Sequence, residues 1–386
     1  MRLALLVTSF LALASCSSQP KDTVVTVKAE SGVREKATSL RSQGFDVVGV
    51  DLENKTVSVM MPDNATQYFK DQIEPNVVST QILAAPDGQY KTPDEVAAIL
   101  RDYASRYPAL AVPVIVGSSL ENRLIWAMKL SENVIMKSST KKVVLVDAMH
   151  HAREVMTTEV ALDMIDYLLT NYETDPKVKT WLQTNEIWII PMFNVDGNAK
   201  VWAGESMWRK NTRGGYGVDL NRNYVENWGV CNGSSTSRNS DTYRGPSAGS
   251  EPETQAMINL FETIKPDINI SIHTFSEIVI YPRGCNGSRM EGEQGRRFEE
   301  IGRTMAGKIK RDSGNGFYEP GTSWELLYAT DGTSIDHFYA KYKKPAYVIE
   351  ANSQANGFQP SYSIRQRTVE YLRPAWQYVL DLPKDN

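Results

Sequence analysis

The sequence predicts an α/β fold: an α/β/α sandwich with a mixed, mostly parallel central sheet, preceded by a small α/β module. Three observations predict it. Apolar runs of buried-strand type recur at residues 143–146, 186–190 and 346–349. Stretches with apolar residues at helical spacing lie between them, which implies a sheet covered on both faces. The 386 residues, 41% of them hydrophobic, suffice for two or three domain units and a core of enzyme size.

The elements follow in order. Residues 1–15 carry Arg2, an apolar run and then small residues, the pattern of an export signal too short to span a membrane. Leu13-Ala14-Ser15-Cys16 resembles a bacterial lipobox, which would make Cys16 the lipidated first residue and 16–22 a tether. Ser17 after that cysteine points to the outer membrane of a bacterial envelope; ordinary cleavage after Ala14, and secretion, is the alternative. Residues 23–29 alternate Val with polar residues as a strand does, and 31–42 suit a helix stopped by Gly44. Residues 45–50 and 56–61 read as two more strands and 62–71 as a second helix, so 23–73 form the small module. Pro75, Pro86 and Gly88 mark 74–89 as a linker.

The larger unit, 90–386, opens on Thr92-Pro93-Asp94-Glu95, a capping box with Pro at the first helical position. Val96, Ile99, Leu100 and Tyr103 share one face of that helix. Residues 124–130 and 142–146 read as strands, 158–170 as a helix, and 186–190 as a strand ended by Pro191. Ser250-Glu251-Pro252-Glu253 is expected to cap a helix buried through Met257, Leu260 and Phe261. Residues 267–272 and 346–349 are strands, and Val369, Leu372, Trp376 and Val379 line a terminal helix.

Composition narrows the function. A net charge of −4 gives no support for nucleic-acid binding, and a mean hydropathy of −0.38 argues against a polytopic membrane protein. Three cysteines exclude a disulfide-dense scaffold and a four-cysteine zinc cluster. Outside the cytoplasm Cys231 and Cys285 are a possible disulfide pair, or two unpaired residues in loops.

Only four histidines are present. His151 and Glu154 follow the strand 142–146, and His273 ends the strand 267–272. Carboxyl ends of strands are where open α/β sheets place their sites. Two histidines and one carboxylate give three zinc ligands with the fourth position open, a catalytic rather than a structural arrangement. His150 should point away from its neighbour, and His337 should pack on a helix.

Seven stretches then carry a resemblance, in chain order. They are His151-Ala152-Arg153-Glu154, Met207-Trp208-Arg209-Lys210, Gly217-Val218-Asp219-Leu220-Asn221-Arg222-Asn223, Tyr243-Arg244-Gly245-Pro246, Ser271-Ile272-His273-Thr274, Tyr328 before Thr333-Ser334-Ile335-Asp336, and Val348-Ile349-Glu350. From about residue 90 to the end the chain resembles the zinc carboxypeptidases of the carboxypeptidase A type. The resemblance implies one Zn²⁺ on His151, Glu154 and His273, Glu350 as general base, and Arg209 as oxyanion stabiliser. It implies that Asn221 and Arg222 hold the substrate's terminal carboxylate, that Tyr328 closes over it, and that Arg153 contacts the chain upstream.

The pocket for the terminal side chain would be set by Gly284, Ser323, Thr333 and Ile335. An apolar Ile335 and the depth left by Gly284 imply large apolar or aromatic terminal residues, with Asp331 and Glu325 as acids that could reach the rim. Phe275 stands where digestive members carry Tyr, and Gly215 where animal members begin a disulfide, so Cys231 would pair elsewhere if at all. Residues 21 to about 85 take the place of the family's pro-segment, without a basic pair for a trypsin-like activator, and are expected beside the active-site mouth. The implied partners are a peptide carboxyl end as substrate and a membrane through the lipid anchor. A murein-directed peptidase on the same fold and an inactive binding lipoprotein are the rival readings; a binding module has no need of Glu350.

Overall fold

The computed structural model describes residues 22–82, 85–136 and 138–384. The export signal and Cys16 lie outside the described residues. Among the described residues no helix is long and apolar enough to cross a membrane.

Two sheets organise the chain. The first contains β1 (Asp22–Lys28), β2 (Asp46–Asp51), β3 (Thr56–Pro62) and β4 (Val77–Ile82), in the order β2-β3-β1-β4. All its pairings are antiparallel. Helix Val33–Ser42 covers one face through Val33, Ala37 and Leu40, as its apolar spacing requires. The linker expected at 74–89 is shorter than the sequence suggested, because Val77–Ile82 adds an edge strand beside β1. Pro75 and Pro86 flank that strand rather than forbid it.

The second sheet has eight strands: β5 (Ala111–Ser118), β6 (Leu124–Leu130), β7 (Lys142–Ala148), β8 (Asn185–Ile190), β9 (Ile268–Thr274), β10 (Ile278–Ile280), β11 (Glu319–Gly321) and β12 (Ala346–Ala351). Their order is β11-β10-β12-β9-β7-β8-β6-β5. The central run β12-β9-β7-β8 is parallel, while β5, β6 and β10 enter antiparallel. The mixed, mostly parallel sheet is therefore the one expected. Helices Val155–Thr170 and Arg365–Asp381 pack together, and Pro252–Ile264 and Ser334–Tyr342 also bury their apolar residues.

The Thr92 capping box forms as read: its side chain accepts from the Glu95 amide while Glu95 accepts from the Thr92 amide. The second expected cap does not form. Pro252–Ile264 starts after Glu251 without a side-chain cap, because Glu253 is drawn to the Leu120 amide and to Asn211.

Candidate active site

Sheet order brings the candidate residues together. His151 and Glu154 follow β7, His273 lies near the end of the adjacent β9, and Glu350 lies near the end of β12 beside it. Glu350 stands opposite His273 in the β12–β9 register. Three neighbouring parallel strands thus present metal donors and a carboxylate at one end of the sheet, the end that α/β folds use for sites.

The donors converge. His151 Nδ1 is 2.6 Å from Glu154 Oε1, His273 Nδ1 is 3.0 Å from Glu154 Oε2, and the two Nδ1 atoms are 3.2 Å apart. All three side chains are buried. Burial pushes the His273 imidazole down to about 4, so it is neutral, the form that ligates a metal. Burial favours a neutral Glu154, but the two histidines outweigh it and hold the carboxyl well below its usual range. Two imidazole nitrogens and two carboxylate oxygens facing one another this closely in a dry site repel unless a proton or a cation lies between them. Both Nε2 atoms lack a hydrogen-bond partner, with Asp219 Oδ1 3.4 Å from that of His151. A carboxylate beside the far nitrogen of a ligating histidine is the usual support of a zinc site. The donor set fits zinc. His150 turns the other way as expected, to Asp147 at 3.0 Å and the Tyr224 hydroxyl at 2.9 Å. Buried His337 packs on helix Ser334–Tyr342 beside Tyr224.

The other expected residues line the same cavity: Arg209, Asn221, Arg222, Tyr328, Ile335 and Glu350. Arg209 donates to Asp219 Oδ2 through Nε and Nη2, at 3.1 and 2.9 Å. Asp219 also accepts from the Asn221 amide at the start of the turn Leu220–Arg222. This one aspartate therefore serves a ligand, the arginine and the turn. Nothing in the sequence marked that role, since its partners meet only through the fold. Asn221 Oδ1 accepts from the Ser334 amide, which leaves its Nδ2 as the outward group. Arg222 donates to the Gly233 and Asn221 carbonyls. Burial first, then the charge of Glu154, raise the Glu350 carboxyl well above its usual range, with Arg209 and Arg222 opposing.

Cys231 and Cys285 are joined by a disulfide with a Cα–Cα distance of 5.4 Å. Asp331 accepts from the Cys231 and Gly233 amides, so it braces this loop and does not line the cavity. Glu325 caps its own short helix and pairs with Arg289. The depth expected at Gly284 is absent. A Cβ there would strike Thr330 Oγ1 and Ser323 Oγ, so hydroxyls fill that space. Asp336, whose role the sequence did not mark, lines the cavity and accepts from the Gly284 amide. Burial raises its carboxyl to about 6.

The small module lies across the mouth. Val47, Val48 and Gly49 line the cavity beside the metal donors. A Cβ on Gly49 would strike the Phe275 ring, so β2 passes directly over it. Phe275, without a hydroxyl, joins Met207 and Phe358 in an apolar cluster against which Val48 and Met60 pack. Arg153 is fully buried in this contact. It donates to Asp241 at 2.8 Å and reaches Asp46 of β2 at 3.5 Å. Two carboxylates on one buried guanidinium leave a surplus negative charge. Burial first, then Asp241, raise the Asp46 carboxyl to about 7, against the pull of Arg153.

This geometry meets known proteins. The zinc carboxypeptidase family model matches residues 96–378. The chain belongs to the zinc carboxypeptidase family. Carboxypeptidase A2 of Mus musculus is 28% identical over 343 residues, covering 86% of this chain and 77% of the relative. A zinc carboxypeptidase of Saccharothrix mutabilis subsp. capreolus is 30% identical over 384 residues, covering 90% and 85%. The crystal structure of carboxypeptidase A from Helicoverpa armigera shares the fold at 24% identity, with a TM-score of 0.78 over 93% of this chain and 96% of that one. Bovine thrombin-activatable fibrinolysis inhibitor, solved with a tick carboxypeptidase inhibitor, is 26% identical with a TM-score of 0.67, covering 76% and 96%. This metallocarboxypeptidase is a zinc-dependent hydrolase with its chemistry directed at peptide carboxyl ends.

Proposed function

We propose that the chain removes single residues from free peptide carboxyl ends, with one zinc ion on His151 Nδ1, the Glu154 carboxylate and His273 Nδ1. The observation that carries this reading is one cavity lined by the donors His151 and Glu154 with Glu350, Arg209, Asn221, Arg222 and Tyr328 together. Zinc, when bound, supplies Lewis acidity that polarises the scissile carbonyl and acidifies the attacking water. Glu350, placed beside the metal donors near the end of its strand, takes a proton from that water and delivers it to the leaving amine. Arg209, aimed by Asp219, donates to the oxygen that becomes anionic. Asn221 and Arg222 hold the terminal carboxylate, and the Tyr328 hydroxyl closes over it. That clamp sets the cut one residue from the end.

Leu327, Ile335, Ile280 and Val348 give the side-chain pocket apolar walls, which supports a preference for large aliphatic or aromatic terminal residues over Lys and Arg. The module restricts the entry of long peptides, since β2 crosses the mouth. The leader sequence supports export and lipid attachment at Cys16 on a bacterial envelope. Incubating the mature protein with a mixed peptide pool and weighing the products tests the central reading. Loss of single carboxyl-terminal residues is expected, and internal cuts would refute it.

A further inference from the structure

The cavity is not apolar throughout: beside Leu327 and Ile335 it is lined by the Ser323 and Thr330 hydroxyls and the Asp336 carboxyl. Ser323 Oγ and Thr330 Oγ1 are 2.7 Å apart, both buried, and this mutual hydrogen bond is the one each hydroxyl makes among the described residues. Both line the cavity with Leu327 and Ile335. Gly284 fixes their place: its carbonyl accepts from the Thr330 amide at 3.0 Å, and its amide donates to Asp336 at 3.1 Å. The capping box at Thr322 sets Ser323 as the first residue of its short helix.

Two hydroxyls own two hydrogens and four lone pairs, and their mutual bond uses one of each. One hydrogen and three lone pairs are left, in a cavity that Leu327, Ile335 and Asp336 also line. An aromatic side chain without a polar tip expels water from that hydrogen and replaces it with nothing, which leaves a buried donor unmet. A phenol at the tip of the same ring can accept from it and donate back.

Resting on the carboxypeptidase reading above, we infer that Ser323 and Thr330 are specificity-determining residues that select terminal tyrosine over phenylalanine by hydrogen-bonding its hydroxyl. The effect is that of one net hydrogen bond, about three- to tenfold in kcat/KM. Larger discrimination is not expected, because the two hydroxyls already satisfy each other in part.

The test uses the complete protein and short amino-blocked peptides that differ only in the last residue: Tyr, Phe, 4-fluorophenylalanine or Lys. Fluorine fills the space of the hydroxyl without a hydrogen to donate. Tyr should exceed both Phe and 4-fluorophenylalanine about three- to tenfold, and the Tyr-to-Phe ratio should fall to about one in the double variant Ser323→Ala/Thr330→Val, which removes both hydroxyls. The comparison of Tyr with 4-fluorophenylalanine in the parent protein decides the matter should the double variant fold poorly. Equal release of Tyr and 4-fluorophenylalanine, release of Lys as fast as Tyr, or an unchanged ratio in the double variant would overturn the inference while leaving the carboxypeptidase reading standing. No release from any peptide would overturn that reading and the inference with it.

Discussion

Arg41 of the small module lies over the ring of Tyr328, its guanidinium carbon 4.0 Å from the ring centroid. The same guanidinium donates to the Gly233 carbonyl, which also accepts from Arg222. One arginine of the covering module thus touches both the residue proposed to close over substrate and the loop that holds the carboxylate-binding arginine. Cation–π contact and one hydrogen bond together are worth on the order of 1–2 kcal/mol at a partly desolvated site. Arg41→Ala should therefore weaken docking about tenfold and raise kcat/KM on long peptides more than on dipeptides. Equal gains on both substrates, or none, would count against a module that gates by size.

Docking should also depend on pH. Asp46 faces Arg153, Asp241 and Arg209, and Asp22 of β1 lies close to the same Arg153 and Asp241. The Asp46 carboxyl is raised from 3.8 to about 7 when the module is docked. The docked form therefore binds the extra proton, so docking is strongest below the free carboxyl's value and weakens as pH rises through about 7. The ratio of long-peptide to dipeptide turnover should rise between mildly acid and mildly alkaline pH. In Asp46→Asn, which holds the neutral form, that rise should flatten.

Glu350→Ala should keep its metal, since no donor is touched, and lose turnover by roughly 10²- to 10⁴-fold, the usual share of a general base. Metal content by atomic absorption and turnover on a short peptide check both halves. Activity within a few-fold of the parent would remove Glu350 from the mechanism. His273→Ala, in contrast, should lose the metal itself.

The Cys231–Cys285 bond joins residues separated by 54 positions and closes a loop beside Arg222. Replacing both cysteines by serine should cost about 2–4 kcal/mol of stability, read from denaturant unfolding. It should also raise KM more than it lowers kcat. The bridge and Asp331 together hold the loop in which the Gly233 carbonyl accepts from Arg222, so loosening it disturbs carboxylate binding rather than the reacting atoms.

The sequence made the parallel core and the metal site legible for one reason. Strands buried on both faces are largely apolar, so β7, β8 and β12 stand out as runs, while β9 shows as Ile268, Ile270 and Ile272 alternating with Asn269 and Ser271, which bond Asp147. The ligands fall just after β7 and near the end of β9. Edge strands hid. β5 holds Pro113 and a bulge between Ile115 and Gly117, residues that read as breakers yet suit the rim of a sheet. β4 hid between Pro75 and Pro86, and the edge strand β11 and its inner neighbour β10 are three residues long, too short to show a period. Within the site, Asp219 and Asp336 sat inside recognised motifs, but their work depends on Arg209 and Gly284, which only the fold brings near. The contact of Asp46 with Arg153 joins residues 107 apart in the chain, beyond any local pattern.

The most direct test pairs two peptides of one sequence, one ending in a free carboxylate and the other in an amide, with residue loss read by mass. The free acid is predicted to lose its last residue, and the amide to stay intact because Asn221 and Arg222 have no anion to hold. A zinc chelator should stop the reaction. Cleavage of the amide at a comparable rate, or a cut in the interior of either peptide, would contradict carboxyl-end recognition by this site.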